Sequence, residues 1–443
     1  SIARRTQNGT NTLRVDNIQG ESDGEITISI NYPTIDDTAQ FPKIDFSQVD
    51  SFIKDDIKKG FPGAVLLVLH KGKVIKRSAY GYARKYADGG ELLAVPQPMQ
   101  TNTLFDLASN TKVFATTLAI MKLVDEGKLS LSSPLANYLA EYSGDGRDTR
   151  TVADLLSHAS GYNSEIQFFK ADNPFGDAFF SQDKILTQEF LLNRVPFTSN
   201  RRGAQTYSDT NFMILGLLVE RISKMPLDQY VEENIFAPLG LSNTLFAPLR
   251  KNRQPEEFAA TEIKGNSRDG NVEFSNMRTH VLQGEVHDEK AYYSMQEVAG
   301  HAGLFSNVDD MAVLAQLMLN KGGYGEQFIF SPHTLKRFVH ADDDLNSFGL
   351  GWRIAADDTQ WHFGPYASEQ AFGHTGWTGT ATLIDPELDL AIIYLTNKRH
   401  SPIIKDGERL TFEGDSYDSA RYGNIMALVY EAILANSSTR VSD

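Results

Sequence analysis

The chain has 443 residues, with 42 Lys plus Arg against 57 Asp plus Glu, a formal net charge of -15 at pH 7. Its 41 % hydrophobic and 22 % charged residues are the proportions of a folded soluble protein able to bury a large core without disulfides or metals. The absence of Cys excludes a thiolate nucleophile, an iron–sulfur cluster and a cysteine zinc site, and suits an oxidising compartment, while the acidic balance disfavours a nucleic-acid partner.

Residues 1–44 are polar and read as an arm, with one short strand at Ile26 to Ile30. Val49 to Lys59 carries apolar residues at helical spacing. Gly63 to His70, the turn Lys71-Gly72-Lys73 and Val74 to Ala83 predict a hairpin. A second hairpin is predicted where Thr380 to Ile384 and Leu390 to Leu395 flank Asp385-Pro386-Glu387. Tyr422 to Ala435 reads as a closing, surface-type helix. Strands at both ends suggest one antiparallel sheet built from both termini. The expected organisation is an α+β catalytic part from 45–134 and 299–443, interrupted by a mainly helical insertion at 135–298 with polar loops at Gly144 to Arg150 and Lys251 to Asn271. The longest apolar runs, Ala64 to Leu69 and Phe212 to Val219, are far shorter than a membrane span. The chain begins at Ser1, so a processed form with a removed leader or membrane anchor is expected.

Three local signals carry chemistry. In Ser109-Asn-Thr-Lys112 the serine stands at the edge of a long apolar helix beginning near Val113. Ser and Lys at i and i+3 share a helix face, where lysine can activate a weak hydroxyl nucleophile and the first N–H groups can receive an oxyanion. The same spacing recurs at Ser51 to Lys54 and Ser181 to Lys184, but neither opens such a helix. The second signal is Tyr207-Ser-Asp209, just before the apolar Phe212 to Val219. Tyr422-Gly-Asn424 is similar but comes too late in the chain. The third is His374-Thr375-Gly376-Trp377, immediately before the second hairpin. His301-Ala-Gly303 resembles it but precedes a predicted helix, Val308 to Leu319.

In this order the motifs resemble those of the serine penicillin-recognising hydrolases: β-lactamases of class C type, D-alanyl-D-alanine carboxypeptidases and related esterases. Asp154 to Gly161 and Pro238 to Leu241 are similar to linking elements of that group. The runs Gln283 to Met295, Gly300 to Ser306 and Phe348 to Arg353 resemble the penicillin-binding-protein 4B type, which implies a periplasmic D-alanyl-D-alanine carboxypeptidase. The resemblance implies the β-lactamase/transpeptidase-like fold, an antiparallel sheet flanked by helices plus an inserted mainly helical domain. It implies an acyl-enzyme on Ser109, Lys112 in a charged network with Ser109 and Tyr207, and Tyr207 as the proton carrier. It also implies an oxyanion hole from the Ser109 and Trp377 N–H groups and substrate binding by Asp209, His374, Thr375, Gly376 and Trp377. The ligand would be a peptidoglycan stem peptide or a β-lactam, with no cofactor and no metal.

Two departures stand out. Asp209 replaces the group's usual Asn, and an ionised carboxylate cannot donate to a substrate amide. His374 replaces a common Lys, which would make carboxylate binding depend on pH. An esterase or weak β-lactamase, and a catalytically poor binder of penicillin or cell-wall peptide, are the competing readings. A metal hydrolase would draw on His287-Asp288-Glu289, but the sequence lacks a recognised ligand spacing.

Overall fold

The computed structural model describes residues 31–37, 44–203, 205–268, 270–340 and 348–438. The strand expected at Ile26 to Ile30 lies outside the described residues. The arm's described part docks on the body, with the Tyr32 N–H donating to Gly325 O at 2.7 Å and the Asp36 N–H to Gly72 O at 2.8 Å.

Seven strands form an antiparallel sheet: β1 (Gly63–His70), β2 (Lys73–Tyr86), β3 (Leu92–Pro98), β4 (Arg353–Ile354), β5 (Phe372–Thr375), β6 (Thr380–Asp385) and β7 (Leu390–Thr396). Their spatial order is β3-β2-β1-β7-β6-β5-β4. N-terminal β1 pairs directly with C-terminal β7, Ala64 opposite Thr396 and His70 opposite Leu390, so both ends of the chain build one sheet. Alternate side chains leave opposite faces. Ala64, Leu66 and Val68 meet one core; Val65, Leu67 and Leu69 meet the other. This double burial explains why β1 reads as an unbroken apolar run.

The outer core is closed by α1 (Ser47–Lys59), through Val49 and Ile53, and by the last helix, Tyr422–Ser438, through Ile425, Met426, Val429 and Tyr430. That last helix is therefore not the surface helix expected. Its apolar residues are needed to cover the sheet, and Tyr422 is itself buried there.

The inner core rests on α2 (Leu118–Asp125) and α4 (Val308–Leu319) and continues without a break into the helical part, where α3 (Asp209–Ser223) buries Phe212, Ile214, Leu215 and Leu218. A small sheet also crosses the expected domain boundary. Leu304–Ser306 pairs with Phe105–Asp106 on one side and with Leu245–Phe246, from the insertion, on the other. The apolar helix after Ser109 is continuous but irregular: a tight turn at Ala108–Asn110, a widened π-type turn at Lys112–Thr117, then α2. Widened turns of this kind often accompany functional sites.

Trp352 links this helix to the sheet. It is fully buried, edge-on to Phe114 at 5.4 Å and to Phe372 at 5.2 Å between ring centroids. Trp352→Ala is expected to cost about 3–5 kcal/mol, the usual price of a large core truncation. Urea unfolding of the two proteins checks this; a loss below about 1 kcal/mol would show that the aromatic stack does not join the layers.

Candidate active site

Ser109 lies on the tight turn Ala108–Asn110, just after strand Phe105–Asp106. Ala108 adopts a left-handed φ of 46°, a strained conformation for a residue with a Cβ. Neighbouring groups hold the turn. Asp106 Oδ1 accepts the Ala108 N–H at 2.8 Å, and its Oδ2 accepts the His287 N–H at 2.7 Å. Asn110 Nδ2 donates to Thr380 Oγ1 at 3.0 Å, Thr380 Oγ1 donates to Leu107 O at 3.1 Å, and Thr378 Oγ1 donates to Asp106 O at 2.7 Å. The edge of β5 and β6 is thereby tied to the Ser109 turn. Gly376 lies where any Cβ would collide with Leu107 O and Thr380 Oγ1, so only glycine permits this approach.

Lys112 is completely buried, and its Nζ donates to Ser109 Oγ at 2.9 Å and His301 O at 3.1 Å. The same ammonium lies 2.8 Å from Asp209 Oδ1, where α3 begins, and 5.0 Å from the centre of the Tyr207 ring. Burial disfavours the Lys112 charge, but Asp209 and the Tyr207 hydroxyl outweigh it and raise the lysine's pKa. The charged form of Lys112 is therefore favoured where it meets Ser109 Oγ.

Tyr207 stands in a cage of rings, with centroids 4.6 Å from His158, 5.9 Å from Phe348 and 5.9 Å from His374. The His158 Nδ1 accepts the Ser208 N–H at 3.1 Å, which fixes the loop that presents Tyr207. Burial, reinforced by Lys112, pushes the His158 imidazole down to about 3. His374 is buried at 1 % exposure, its Nδ1 is 2.8 Å from Thr375 O, and burial together with Arg353 and Lys112 holds its pKa well below the usual histidine value. Burial thus disfavours the charged form of the imidazole packed beside Tyr207.

Ser109, Tyr207, Asp209 and Trp377 line one cleft of about 200 Å³. Trp377 is 44 % exposed on it; the Arg399 guanidinium lies 4.1 Å from its ring centre and Arg399 Nε donates to Trp377 O at 3.0 Å. Thr375 ends β5 and Gly376 follows it directly. The rival Ser-x-x-Lys pairs have other surroundings. Ser51 and Lys54 are exposed on α1, and Ser181 Oγ donates to Asp183 O at 2.9 Å.

The far wall of the cleft was not legible from the motifs. It carries Lys290, Glu165, Asp288 and Arg268. Lys290 Nζ is 2.8 Å from Glu165, 3.2 Å from Asp209 and 3.2 Å from Asp288. Arg268 grips Glu165 and Glu289 with two donors each, at 2.7–3.1 Å. His301 Nε2 is 2.8 Å from Asp288 Oδ1. The triplet His287-Asp288-Glu289 is split among four partners: Glu262 for His287, Lys290 and His301 for Asp288, and Arg268 for Glu289. Asp209, Asp288 and His301 do bring ligand atoms within 4.8 Å of one another, but the Lys290 ammonium already bonds both carboxylates, so the donor set suits a lysine rather than a metal ion.

Comparison with known proteins identifies the family and the fold. The family model described as Beta-lactamase matches residues 49–414. A Bacillus subtilis (strain 168) protein named "N-acetylmuramyl-L-alanine amidase" is 46 % identical over 405 residues, covering 90 % of this chain and 91 % of the relative. An Escherichia coli (strain K12) protein named "Putative D-alanyl-D-alanine carboxypeptidase" is 43 % identical over 395 residues, covering 87 % and 90 %. Among solved structures, the octameric penicillin-binding protein homologue from Pyrococcus abyssi aligns with TM-score 0.63 at 20 % identity, covering 88 % of this chain and 78 % of that one. A penicillin-binding protein homologue from Caulobacter crescentus aligns with TM-score 0.63 at 20 % identity, covering 89 % and 99 %. At that identity the structures share the fold alone.

The buried ion network predicts acid sensitivity. Burial would raise the Glu165 pKa, but Lys290 and Arg268 bring it down to about 2 from 4.5. A depressed folded-state pKa adds stability that is full above the unfolded value and lost as pH falls from about 4.5 toward 2. Urea midpoints should therefore drop across that window in the native protein. In Glu165→Gln the midpoint should be lower at neutral pH and fall less steeply; equal slopes would remove Glu165 from the acid transition.

Proposed function

The chain belongs to the Beta-lactamase family and is a serine hydrolase, and we propose that it forms an acyl-enzyme on Ser109 and cuts an amide bond of peptidoglycan outside the cytoplasm. The observation that carries this reading is the 2.9 Å contact between Ser109 Oγ and a lysine held charged beside Tyr207. Lys112 orients Ser109 and lies 5.0 Å from the centre of the Tyr207 ring. Tyr207 takes the Ser109 proton as Oγ bonds to the carbonyl carbon, then hands it to the departing amine as the amide C–N bond breaks. The Ser109 and Trp377 N–H groups receive the oxyanion. Water then attacks the ester carbonyl as Tyr207 takes its proton, the acyl C–Oγ bond breaks, and Tyr207 returns the proton to Ser109 Oγ.

Two bonds are candidates. The D-alanyl-D-alanine bond is supported by relatives at 41–44 % identity named for that carboxypeptidase activity. The bond between the muramyl lactyl group and L-alanine is supported by the amidase-named relative at 46 % and by one feature of the cleft. A carboxypeptidase must accommodate a free carboxylate beside the scissile bond. Here the cations facing Ser109 are already engaged: Lys112 by Asp209, Lys290 by three carboxylates, and Arg268 by Glu165 and Glu289. His374 is kept neutral. The muramyl–L-alanine amide has no neighbouring terminal carboxylate. Trp377, exposed on the rim and braced by Arg399, offers an aromatic face suited to the apolar side of a sugar ring.

Mass spectrometry of products from N-acetylmuramyl pentapeptide separates the readings. Loss of one D-alanine assigns the first bond. Release of the whole pentapeptide with a free L-alanine amine assigns the second. An untouched substrate would contradict the peptidoglycan reading. In either productive case Tyr207→Phe should lower turnover by roughly 10²-fold or more, because it removes the proton carrier and leaves the ring.

A further inference from the structure

The motifs account for Lys112, but a second lysine is buried in the same cluster and the mechanism above does not use it. Lys290 has 1 % side-chain exposure and lies in the turn Lys290–Ser294, within the run Gln283 to Met295. Its ammonium touches three carboxylates from three segments: Glu165 at 2.8 Å, Asp209 at 3.2 Å and Asp288 at 3.2 Å. The contact to Asp209 is with Oδ2, while Lys112 holds Oδ1 of the same carboxylate at 2.8 Å. Asp209 is therefore gripped from both sides.

We propose that Lys290 is a positioning residue for acylation: it holds Asp209 from the side opposite Lys112, and so keeps the Lys112 ammonium in register with Ser109 Oγ. The inference rests on the reading of Ser109, Lys112 and Tyr207 as the acylating group. It also gives a physical reason for Asp209 at the position where the resembling group has Asn. A neutral Asn needs no second cation. An Asp there carries a charge whose neighbours, Asp288 and Glu165, repel it, and Lys290 is the compact cation that satisfies all three. A guanidinium would not substitute, because its planar fork cannot converge three carboxylates on one point.

The charged groups facing Asp209 are Lys112, Lys290 and His301, which favour its ionised form, and Asp288 and Glu165, which oppose it. Removing Lys290 deletes one of the favourable charges and leaves both unfavourable ones. Asp209 then protonates at higher pH than before, and its grip on Lys112 weakens as pH falls.

The test measures acylation by a neutral aryl ester from pH 4 to 9 in four proteins: wild type, Lys290→Met, Asp209→Asn and the double variant. A displacement of the order of 1 Å at a reacting group can cost about 10²-fold. Lys290→Met should lower kcat/KM by roughly that factor and move the acid limb of the profile upward. Adding Lys290→Met to Asp209→Asn should change kcat/KM by less than about threefold and leave the acid limb in place, because Lys290 acts through Asp209. If Lys290→Met does not fold, the comparison of Asp209→Asn with the double variant, which removes one charge of each sign, decides alone. An equal loss in both backgrounds, or an unmoved acid limb in a folded Lys290→Met, overturns the proposal. Failure of the underlying reading would look different: Ser109→Ala would keep its burst of acylation whatever stands at 290.

Discussion

One carboxylate held between two buried ammoniums sets the terms for this site. Asp209 lies between Lys112 and Lys290 at 2.8 and 3.2 Å. Withdrawing an ion from water costs several kcal/mol, so a buried group of charges is tolerable only when each member is paired. The surroundings meet that condition. Glu165 and Asp288 complete the shell of Lys290, Arg268 and His301 answer those carboxylates, and Glu289 answers Arg268. The consequence for chemistry is that Lys112 remains charged at Ser109. On the proposed reading it presents Ser109 to the substrate, and Tyr207 carries the proton.

The fold supplies the opposite side of the cleft. Pairing of β1 with β7 closes the sheet from both chain ends, and β6 and β5 follow outward to the edge beside Ser109. Threonines and Asn110 tie that edge to the Ser109 turn, while Gly376 removes the side chain that would hold them apart. The helical part contributes Tyr207 and Asp209 at the start of α3, and its core is continuous with the core beneath the sheet. The groups of the proposed site thus come from separate segments packed into one solid, as pre-organised electrostatics requires.

Much of this was legible from sequence because it is local. Alternating and continuous apolar runs marked β1, β2, β6 and β7 within a few residues of their ends, and the turn residues marked both hairpins. Ser109, Lys112, Tyr207 and Asp209 stood out because each lies beside an apolar segment, and the structure brings them together. What was not legible depends on contacts across long separations. Glu165 and Arg268 were not singled out, Lys290 was noted only as part of the run Gln283 to Met295, and their pairing exists only once the three segments meet. His301 was set aside for preceding a helix, although its carbonyl and ring both join the site. His374 was expected to titrate as an exposed histidine would, whereas its neighbours bury it. The last helix looked like surface because its role in covering the sheet cannot be read from its own residues.

The account stands on Ser109 being the group that bonds to substrate while a charged Lys112 holds it in place. Intact-mass measurement after reaction with a labelled penicillin or fluorophosphonate, followed by mapping of the modified peptide, tests this most directly. A single adduct on the peptide carrying Ser109, absent in Ser109→Ala and retained in Ser51→Ala and Ser181→Ala, is the predicted result. An adduct that maps to another residue, or one that persists in Ser109→Ala, would contradict it.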